Sequence, residues 1–269
     1  MPHSSTRDGV KIYYEEHGRG EPILLAYGIG GNAGMWEPNV EALSTAHRLI
    51  LWEPRGHARS DSPADPRKVT FAHWVWDLYD LMEHLRLERA IVGGLSLGGG
   101  IATRFALAHP ERVRALVIVD SSSASGLPLG VDNIVMRAKS IEVTLTGGMD
   151  AMAEFAIETN PNVVGRIKLD PSARKEVFDY YRMLTPIGYA NALRALLQMD
   201  YITDRLGEIE APTLLVCGDE DPSLQPMREI QKRITESQFV LLEHAGHFAN
   251  RDQPEAFNRA VVEFLKGLA

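Results

Sequence analysis

The sequence predicts an α/β protein with a mostly parallel central sheet, helices on both faces of that sheet and a helical cap insertion. Two observations predict the sheet: short apolar runs alternate along the chain with segments of helical periodicity, and most of the runs lack polar alternation. Continuous apolar runs are typical of parallel strands that are covered on both faces. A third observation predicts the insertion, because one long stretch carries helical patterns only.

The predicted strands are short and are closed by glycine, proline or polar turn residues. They span residues 10–16, 22–27, 48–52, 90–94, 114–119, 212–217 and 238–242. Apolar residues at helical spacing predict a helix from Phe71 to Leu85. A second helix follows the fourth strand and ends before Pro110, and a last helix begins at Pro254. Proline is accepted in the first turn of a helix but not in its interior.

Residues 122–210 interrupt the alternation of strands and helices. The helix breakers in this stretch are Pro128, Gly147-Gly148, Pro161, Pro171 and Pro186. Ordinary crossover helices are the alternative, but a crossover between parallel strands needs only about a dozen residues or somewhat more. We therefore expect about four helices that form a cap domain at residues 122–210. The core domain would then consist of residues 1–121 and 211–269.

Composition excludes several classes of function. The chain has 28 Lys and Arg against 36 Asp and Glu, which gives a formal net charge of −8. Phosphate backbones repel such a surface, so we expect no nucleic-acid partner. No apolar run approaches the roughly 20 residues that span a membrane, and the polar segment at residues 1–16 lacks the apolar core that a secretion signal requires. With Cys217 as the single cysteine, we expect a cytoplasmic protein with a small-molecule partner; a homo-oligomer is left open.

The segment Gly94-Leu95-Ser96-Leu97-Gly98 fits the pattern Gly-x-Ser-x-Gly between a predicted strand and a predicted helix. A serine on such a sharp turn has strained backbone geometry, and glycines on both sides avoid collisions there. The turn would lift the Ser96 hydroxyl out of the sheet as a nucleophile. It would also present the Leu97 N–H to an oxyanion at a helix N-terminus. The alternative is a tight turn with an ordinary surface serine.

This segment and several others resemble the α/β-hydrolase superfamily, and the resemblance covers nearly all of the chain. The other motifs that carry it are Tyr27-Gly28-Ile29-Gly30, Pro54-Arg55-Gly56-His57-Ala58-Arg59-Ser60-Asp61, His109-Pro110-Glu111-Arg112-Val113, Gly218-Asp219-Glu220-Asp221 and Gly246-His247. The chain is most similar to small capped esterases, enol-lactonases and cofactor-free haloperoxidase-like perhydrolases. The resemblance implies a serine hydrolase that needs no metal and no organic cofactor.

Nine histidines compete for the role of the base. His247 follows the last predicted strand on a loop that returns to the carboxyl end of the sheet, and Gly246 permits a close approach. His244 and His57 are the alternatives. A metal pair formed by His244 and His247 is disfavoured because no third ligand stands nearby in the sequence.

The resemblance also implies the acid of the triad, which the superfamily carries three residues after the glycine at position 218. This spacing selects Asp221, and Asp219 and Asp120 are the alternatives. The acid would accept the imidazole N–H of the base, fix its tautomer and stabilise the imidazolium.

In the superfamily, a His-Gly pair precedes the residue whose N–H completes the oxyanion hole. The pair here is Tyr27-Gly28, so the resemblance implies Ile29 as the donor. The tyrosine departs from the pattern and puts the support of this loop in doubt. The residues expected to line the substrate pocket are Met35, Trp36, Met136, Met152, Phe155, Tyr180, Tyr181 and Phe248. For Met35 and Trp36, core packing fits equally well.

The same loop supports a rival hypothesis. Gly28-Ile29-Gly30-Gly31-Asn32-Ala33 matches the dinucleotide pattern Gly-x-Gly-x-x-Gly/Ala, and Glu53 ends the next predicted strand. However, the helix that should begin within the glycines would contain Pro38, which would break it. A nucleotide-dependent oxidoreductase therefore stays a remote alternative. Arg55 is expected to brace loops, with contact to a substrate carboxylate as its alternative role.

The expected reaction is acyl transfer from a small or medium, largely apolar carboxylic ester or lactone to Ser96, followed by hydrolysis. A serine nucleophile disfavours epoxide hydrolases and haloalkane dehalogenases, whose superfamily members carry aspartate at this position. Carbon–carbon bond hydrolysis of a diketone and cofactor-free perhydrolysis share the triad and stay open. A receptor-like member that binds its ligand with little turnover is a further alternative.

Overall fold

The computed structural model describes residues 2–126 and 130–268. These residues form an eight-stranded sheet in the order β1-β2-β4-β3-β5-β6-β7-β8. The strands are β1 (His3–Ser5), β2 (Lys11–His17), β3 (Glu21–Ala26), β4 (His47–Trp52), β5 (Ala90–Leu95), β6 (Val113–Val119), β7 (Thr213–Gly218) and β8 (Ser237–Leu242). β1 pairs antiparallel with β2, and β2 with β4, whereas every other neighbouring pair is parallel. The predicted fold class is therefore confirmed.

The helices cover both faces of the sheet. They are α1 (Glu37–Ser44), α2 (Phe71–His84), α3 (Leu97–Ala108), α4 (Val131–Thr159), α5 (Pro161–Leu169), α6 (Ala173–Arg182), α7 (Pro186–Leu197), α8 (Leu224–Arg233), α9 (Ala249–Asp252) and α10 (Pro254–Lys266). α2, α3 and α8 share one apolar cluster with Leu24 and Ala26, whereas α1 and α10 share another with Ile23 and Leu25. Successive β3 residues thus point to opposite covered faces, which explains the continuous apolar runs.

The seven predicted strands agree with observed strands to within one residue at either end. The sequence analysis missed β1, α1, α8 and the four-residue helix α9. β1 is a three-residue polar segment at the edge of the sheet, so it has no apolar signature. α8 is a largely polar surface helix that buries only Met227 and Ile230.

Between β6 and β7, the described residues form α4 to α7 and short 3-10 turns; we call residues 122–210 the helical insertion. Gly148 has φ 77° and kinks α4 without ending it. Pro161 and Pro186 begin α5 and α7, as expected for proline in a first helical turn. Pro128 lies outside the described residues. The helices share an apolar cluster of their own, while the division into a core and a cap domain stays a prediction.

None of the helices within the two described ranges is long and apolar enough to cross a membrane.

Arg55 is 1% exposed and braces the loop after β4. Its guanidinium donates hydrogen bonds to both carboxylate oxygens of Asp77, at 2.8 and 2.6 Å, and to both of Asp8, at 2.9 and 2.8 Å. Burial raises the pKa of Asp77 to about 6 although Arg55 opposes the shift, whereas the exposed Asp8 has a pKa below its usual range because of Arg55. The loop-bracing role predicted for Arg55 therefore fits its contacts.

Replacing Asp77 should destabilise the fold strongly. The Asp77→Ala change leaves the buried guanidinium of Arg55 with the partly exposed Asp8 and the Lys68 carbonyl, and breaking a buried pair costs about 3–5 kcal/mol of unfolding free energy. Urea denaturation measures the loss. Asp8→Ala is the matched control and should cost less, because Asp8 is 31% exposed and Asp77 remains. An equal or smaller loss for Asp77→Ala would contradict this assignment.

Candidate active site

Ser96 lies between the end of β5 and the first residue of α3 and adopts φ 53° and ψ −111°. This conformation is rare for a residue with a side chain and costs about 1–3 kcal/mol. The surrounding groups hold it: the Ser96 N–H donates to the Val119 carbonyl at 2.9 Å. The Ser96 carbonyl accepts from the hydroxyls of Ser121 and Ser123 at 2.5 and 2.9 Å. Leu97, as the first helical residue, has an N–H with no partner inside the helix.

Glycines are required around this turn because the chain passes against β3. A Cβ added to Gly94 or Gly98 would collide with the Ala26 carbonyl oxygen. Gly28 lies on the other side of the turn, where an added Cβ would come 3.1 Å from the Cβ of Ser96. The loop after β3 therefore packs directly beside Ser96.

His247 lies on the loop between β8 and α9, and its Nδ1 is 3.0 Å from Oδ1 of Asp221. The side chain of Asp221 is 0% exposed and that of His247 is 10% exposed. Burial alone would lower the pKa of His247, but the charge and hydrogen bond of Asp221 raise it above its usual value. Burial raises the pKa of Asp221 in turn, and His247 with the Ser223 N–H brings it below its usual range. The pair can thus accept a proton at the other imidazole nitrogen.

Three further carboxylates hold the backbone of the histidine loop, residues 243–249. Asp219 accepts from the Ala245 N–H at 3.1 Å. Asp252 accepts from the Gly246 N–H at 2.9 Å. Asp120 accepts from the N–H groups of Ala249 and Gly218, each at 3.0 Å.

The two alternative acids are thus bonded to backbone rather than to His247. Asp219 accepts from the N–H of Ala245, two residues before His247, and Asp120 accepts from the N–H of Ala249, two residues after it. The alternative bases also lie elsewhere. The His57 ring is buried against Trp74, where burial lowers its pKa to about 4, and His244 is exposed.

One group of side chains could in principle hold a metal ion. The ligand atoms of Asp120, Cys217 and Asp221 lie within 4.8 Å of one another. However, Asp120 is occupied by two backbone N–H groups and Asp221 by His247 and Ser223. Burial raises the pKa of the Cys217 thiol well above its usual value, which disfavours the thiolate that metals bind. These contacts explain why the side chains lie together: Asp120 and Asp221 support the histidine loop.

Tyr27 links the two loops that meet at Ser96. Its hydroxyl donates to Oδ1 of Asn250 at 3.0 Å, and its ring stacks on Phe248 with 6.5 Å between centroids. Trp36 packs edge-on against the other side of the ring at 5.3 Å. The tyrosine that departs from the superfamily pattern therefore supports the loop after β3, which carries Ile29, through the segment that follows His247.

These elements surround a cavity of about 360 Å³. The sequence-predicted residues that line it are Ser96, His247, Ile29, Leu97, Met35, Met136, Tyr180, Tyr181 and Phe248. A nucleophilic hydroxyl, an imidazole and the two backbone segments expected to form an oxyanion hole thus open into one space. A volume in this range suits a small organic ligand.

Three of the predicted pocket residues do not line the cavity. Trp36 is 0% exposed and packs in the core between Tyr27 and Phe257. Met152 and Phe155 belong to the apolar cluster of the helical insertion. They follow the kink at Gly148 in α4, so they do not continue the cavity-facing stripe.

Of the stripe of α4 that does face the cavity, the sequence analysis predicted Met136 alone. This stripe consists of Asn133, Met136, Arg137 and Ser140, which are spaced as one face of a helix. Tyr189, Arg166 and Arg251 also line the cavity and were missed. The helical spacing of Asn133, Arg137 and Ser140 was a usable signal, but polar spacing alone also fits a solvated face.

The dinucleotide-like glycine pattern has another explanation in the structure. Glu53 is 1% exposed and accepts hydrogen bonds from the Ala33 N–H at 3.1 Å and from Arg59. It therefore braces the glycine loop from within. The regular helix begins only at Glu37, after a 3-10 turn at Ala33–Trp36.

The pairing with Asp221 predicts how His247 titrates. In an NMR titration of the imidazole signals, identified with a His247→Gln variant, His247 should show a pKa above that of an ordinary histidine. Asp221→Asn removes the raising charge and leaves burial, so the pKa should fall. Asp219→Asn is the matched control and should leave it nearly unchanged. A larger effect of Asp219→Asn would contradict the pairing.

Comparisons with known proteins agree with the observed fold. Residues 21–140 match the family described as alpha/beta hydrolase fold. A protein of Caulobacter sp. named "Putative carbamate hydrolase RutD" is 30% identical over 99% of both chains. An esterase from Thermogutta terrifontis superposes with a TM-score of 0.88 at 27% identity, covering 99% of this chain and 98% of that one. An enol-lactonase from Burkholderia xenovorans superposes with a TM-score of 0.86 at 26% identity, covering 98% of this chain and 100% of that one. The chain belongs to the α/β-hydrolase superfamily.

Proposed function

We propose that this hydrolase cleaves small or medium carboxylic esters or lactones through an acyl-enzyme intermediate. Ser96 is the nucleophile, His247 its base and Asp221 the acid that orients His247. The observation that carries the proposal is the strained Ser96 opening into the same cavity as a histidine paired with a buried carboxylate. Strain of this kind persists only where the surrounding structure maintains it.

The reaction proceeds in two halves. His247 takes the proton of the Ser96 hydroxyl as the oxygen bonds to the acyl carbon. It then gives that proton to the departing alkoxide as the carbon–oxygen bond breaks. In the second half, His247 takes a proton from water while the hydroxide adds to the acyl carbon. The proton returns to Ser96 and the carboxylic acid leaves.

The N–H groups of Ile29 and Leu97 stabilise the negative oxygen in both halves. Each such donor contributes about 2.7–4 kcal/mol to transition-state stabilisation. Leu97 also lies at the N-terminus of α3, where the helix dipole favours negative charge. Tyr27 is a positioning residue, since it fixes the loop that carries Ile29.

The named relatives support the substrate class, because an esterase and an enol-lactonase share the fold over nearly the whole chain. The helical insertion acts as the cap that selects the substrate, since α4 to α7 supply much of the cavity wall. A cytoplasmic location is part of this proposal, because the one cysteine, Cys217, is buried and free.

A fluorophosphonate probe should label Ser96 and should fail to label the Ser96→Ala variant, as read by mass spectrometry. Short nitrophenyl esters should give a burst of nitrophenol followed by steady turnover, because the acyl-enzyme accumulates. A panel of esters, lactones and diketones, run beside Ser96→Ala, identifies the carbonyl class. Labelling without any turnover would instead indicate a ligand-binding member, and cleavage of diketones alone would reassign the reaction.

The triad also predicts a pH dependence of kcat/KM. Activity requires neutral His247, so the rate should fall as the pH drops through the pKa of that imidazole. Asp221→Asn should move the acid limb to lower pH and reduce kcat by about 10⁴-fold, because the imidazole loses its orienting partner. Asp219→Asn should retain most of its activity. Near-normal turnover of Asp221→Asn would refute its role as the acid.

A further inference from the structure

Arg137 is a cationic side chain on the cavity wall for which the described residues provide no counter-charge. It lies on α4 in the stripe that faces the cavity. Among the described residues its hydrogen-bond acceptor is the Leu196 carbonyl, at a long distance of 3.5 Å. Within residues 2–126 and 130–268, no carboxylate forms a salt bridge with it, although the chain carries a net charge of −8.

The other two arginines on the cavity wall are neutralised. Arg166 lies 3.1 Å from Asp252 and 3.2 Å from Asp170. Arg251 lies 3.1 Å from Glu176. Arg137 therefore gives its end of the cavity an unbalanced positive charge. Burial lowers the pKa of Arg137, which indicates that the guanidinium has lost part of its hydration; a desolvated cation is costly unless an anion joins it.

Aromatic residues connect Arg137 to the candidate oxyanion loop. Tyr189 lies near Arg137, where it opposes the lowering of the Arg137 pKa by burial. The Tyr189 and Tyr181 hydroxyls are 3.4 Å apart. Their rings lie 3.6 and 3.7 Å from the position of a Cβ on Gly30, the residue after Ile29. Arg137 and Ser96 thus line the same cavity, as do the two tyrosines beside Gly30.

We propose that the substrate carries a carboxylate besides its ester or lactone carbonyl, and that Arg137 binds this carboxylate. The inference rests on the proposed hydrolase function and narrows its substrate class. A guanidinium matches a carboxylate with two parallel hydrogen bonds. Asn133 and Ser140, one helical turn away on the same stripe, supply further polar groups at that end of the cavity. The carboxylate stays unchanged in the reaction and serves to anchor the acyl chain.

The test compares mono-4-nitrophenyl esters of linear dicarboxylic acids, from adipate to suberate, with the same esters methylated at the free carboxyl. The wild-type protein should prefer the charged member by about 10- to 100-fold in kcat/KM, with about 1.4 kcal/mol for each tenfold step. Arg137→Gln should abolish the preference, because it raises KM for the charged esters far more than for the methylated esters. Arg137→Lys should restore part of it, because it keeps the charge but loses the planar donor pair.

Arg174→Gln is the matched control. Arg174 is an exposed arginine of α6 that does not line the cavity, so its removal changes the net charge equally and should preserve the preference. Equal rates on both esters in the wild type would overturn the inference, as would an equal loss in Arg174→Gln and Arg137→Gln.

Binding separates this inference from the proposed function. Calorimetry of monomethyl adipate with Ser96→Ala should detect binding that the Ser96→Ala/Arg137→Gln double variant loses. If the probe fails to label Ser96 and no ester is cleaved, the hydrolase proposal fails, and this measurement still decides the role of Arg137. Absence of binding, or binding that Arg137→Gln leaves unchanged, would refute that role. If inorganic phosphate displaces monomethyl adipate but other carboxylates do not, the carboxylate assignment is refuted.

Discussion

The turn at Ser96 is the constraint on which the rest of the site depends. A serine with φ 53° is held between β5 and α3 because Gly94 and Gly98 let the chain pass against the Ala26 carbonyl oxygen. Three neighbouring strands must keep their register for this to hold, since Ser96 also bonds to Val119 of β6. The energy that stabilises the strained residue therefore comes from the packing of the whole sheet.

The histidine loop depends on charge in the way that the serine turn depends on packing. Four carboxylates reach it, and only Asp221 contacts the imidazole; Asp120, Asp219 and Asp252 bind backbone N–H groups. Arg166 of the helical insertion holds Asp252 in turn. Burial and the neighbouring charge of Asp221 raise the pKa of Asp120 well above its usual value, which disfavours simultaneous ionisation of the carboxylates gathered at this edge of the sheet.

Much of this arrangement was accessible from the sequence. The apolar runs located the strands because both sheet faces are covered, and the glycine pattern around Ser96 reflects a steric need that few other residues meet. The bond between Tyr27 and Asn250 was not accessible, since it joins residues 223 positions apart. Met152 and Phe155 were misplaced because the kink at Gly148 redirects the second half of α4. The lack of a carboxylate partner for Arg137 among the described residues was not accessible either, because it depends on every side chain packed around the guanidinium.

The helical insertion leaves the sheet from β6 and returns to β7, and these two strands are direct neighbours, with Val119 opposite Val216. Its endpoints are therefore fixed by the sheet, whatever the length or sequence between them. Ser96, Asp221 and His247 all come from segments outside it. Changes in the residues that wall the cavity can consequently alter its preference for ligands, while the sheet keeps Ser96, Asp221 and His247 in the same arrangement.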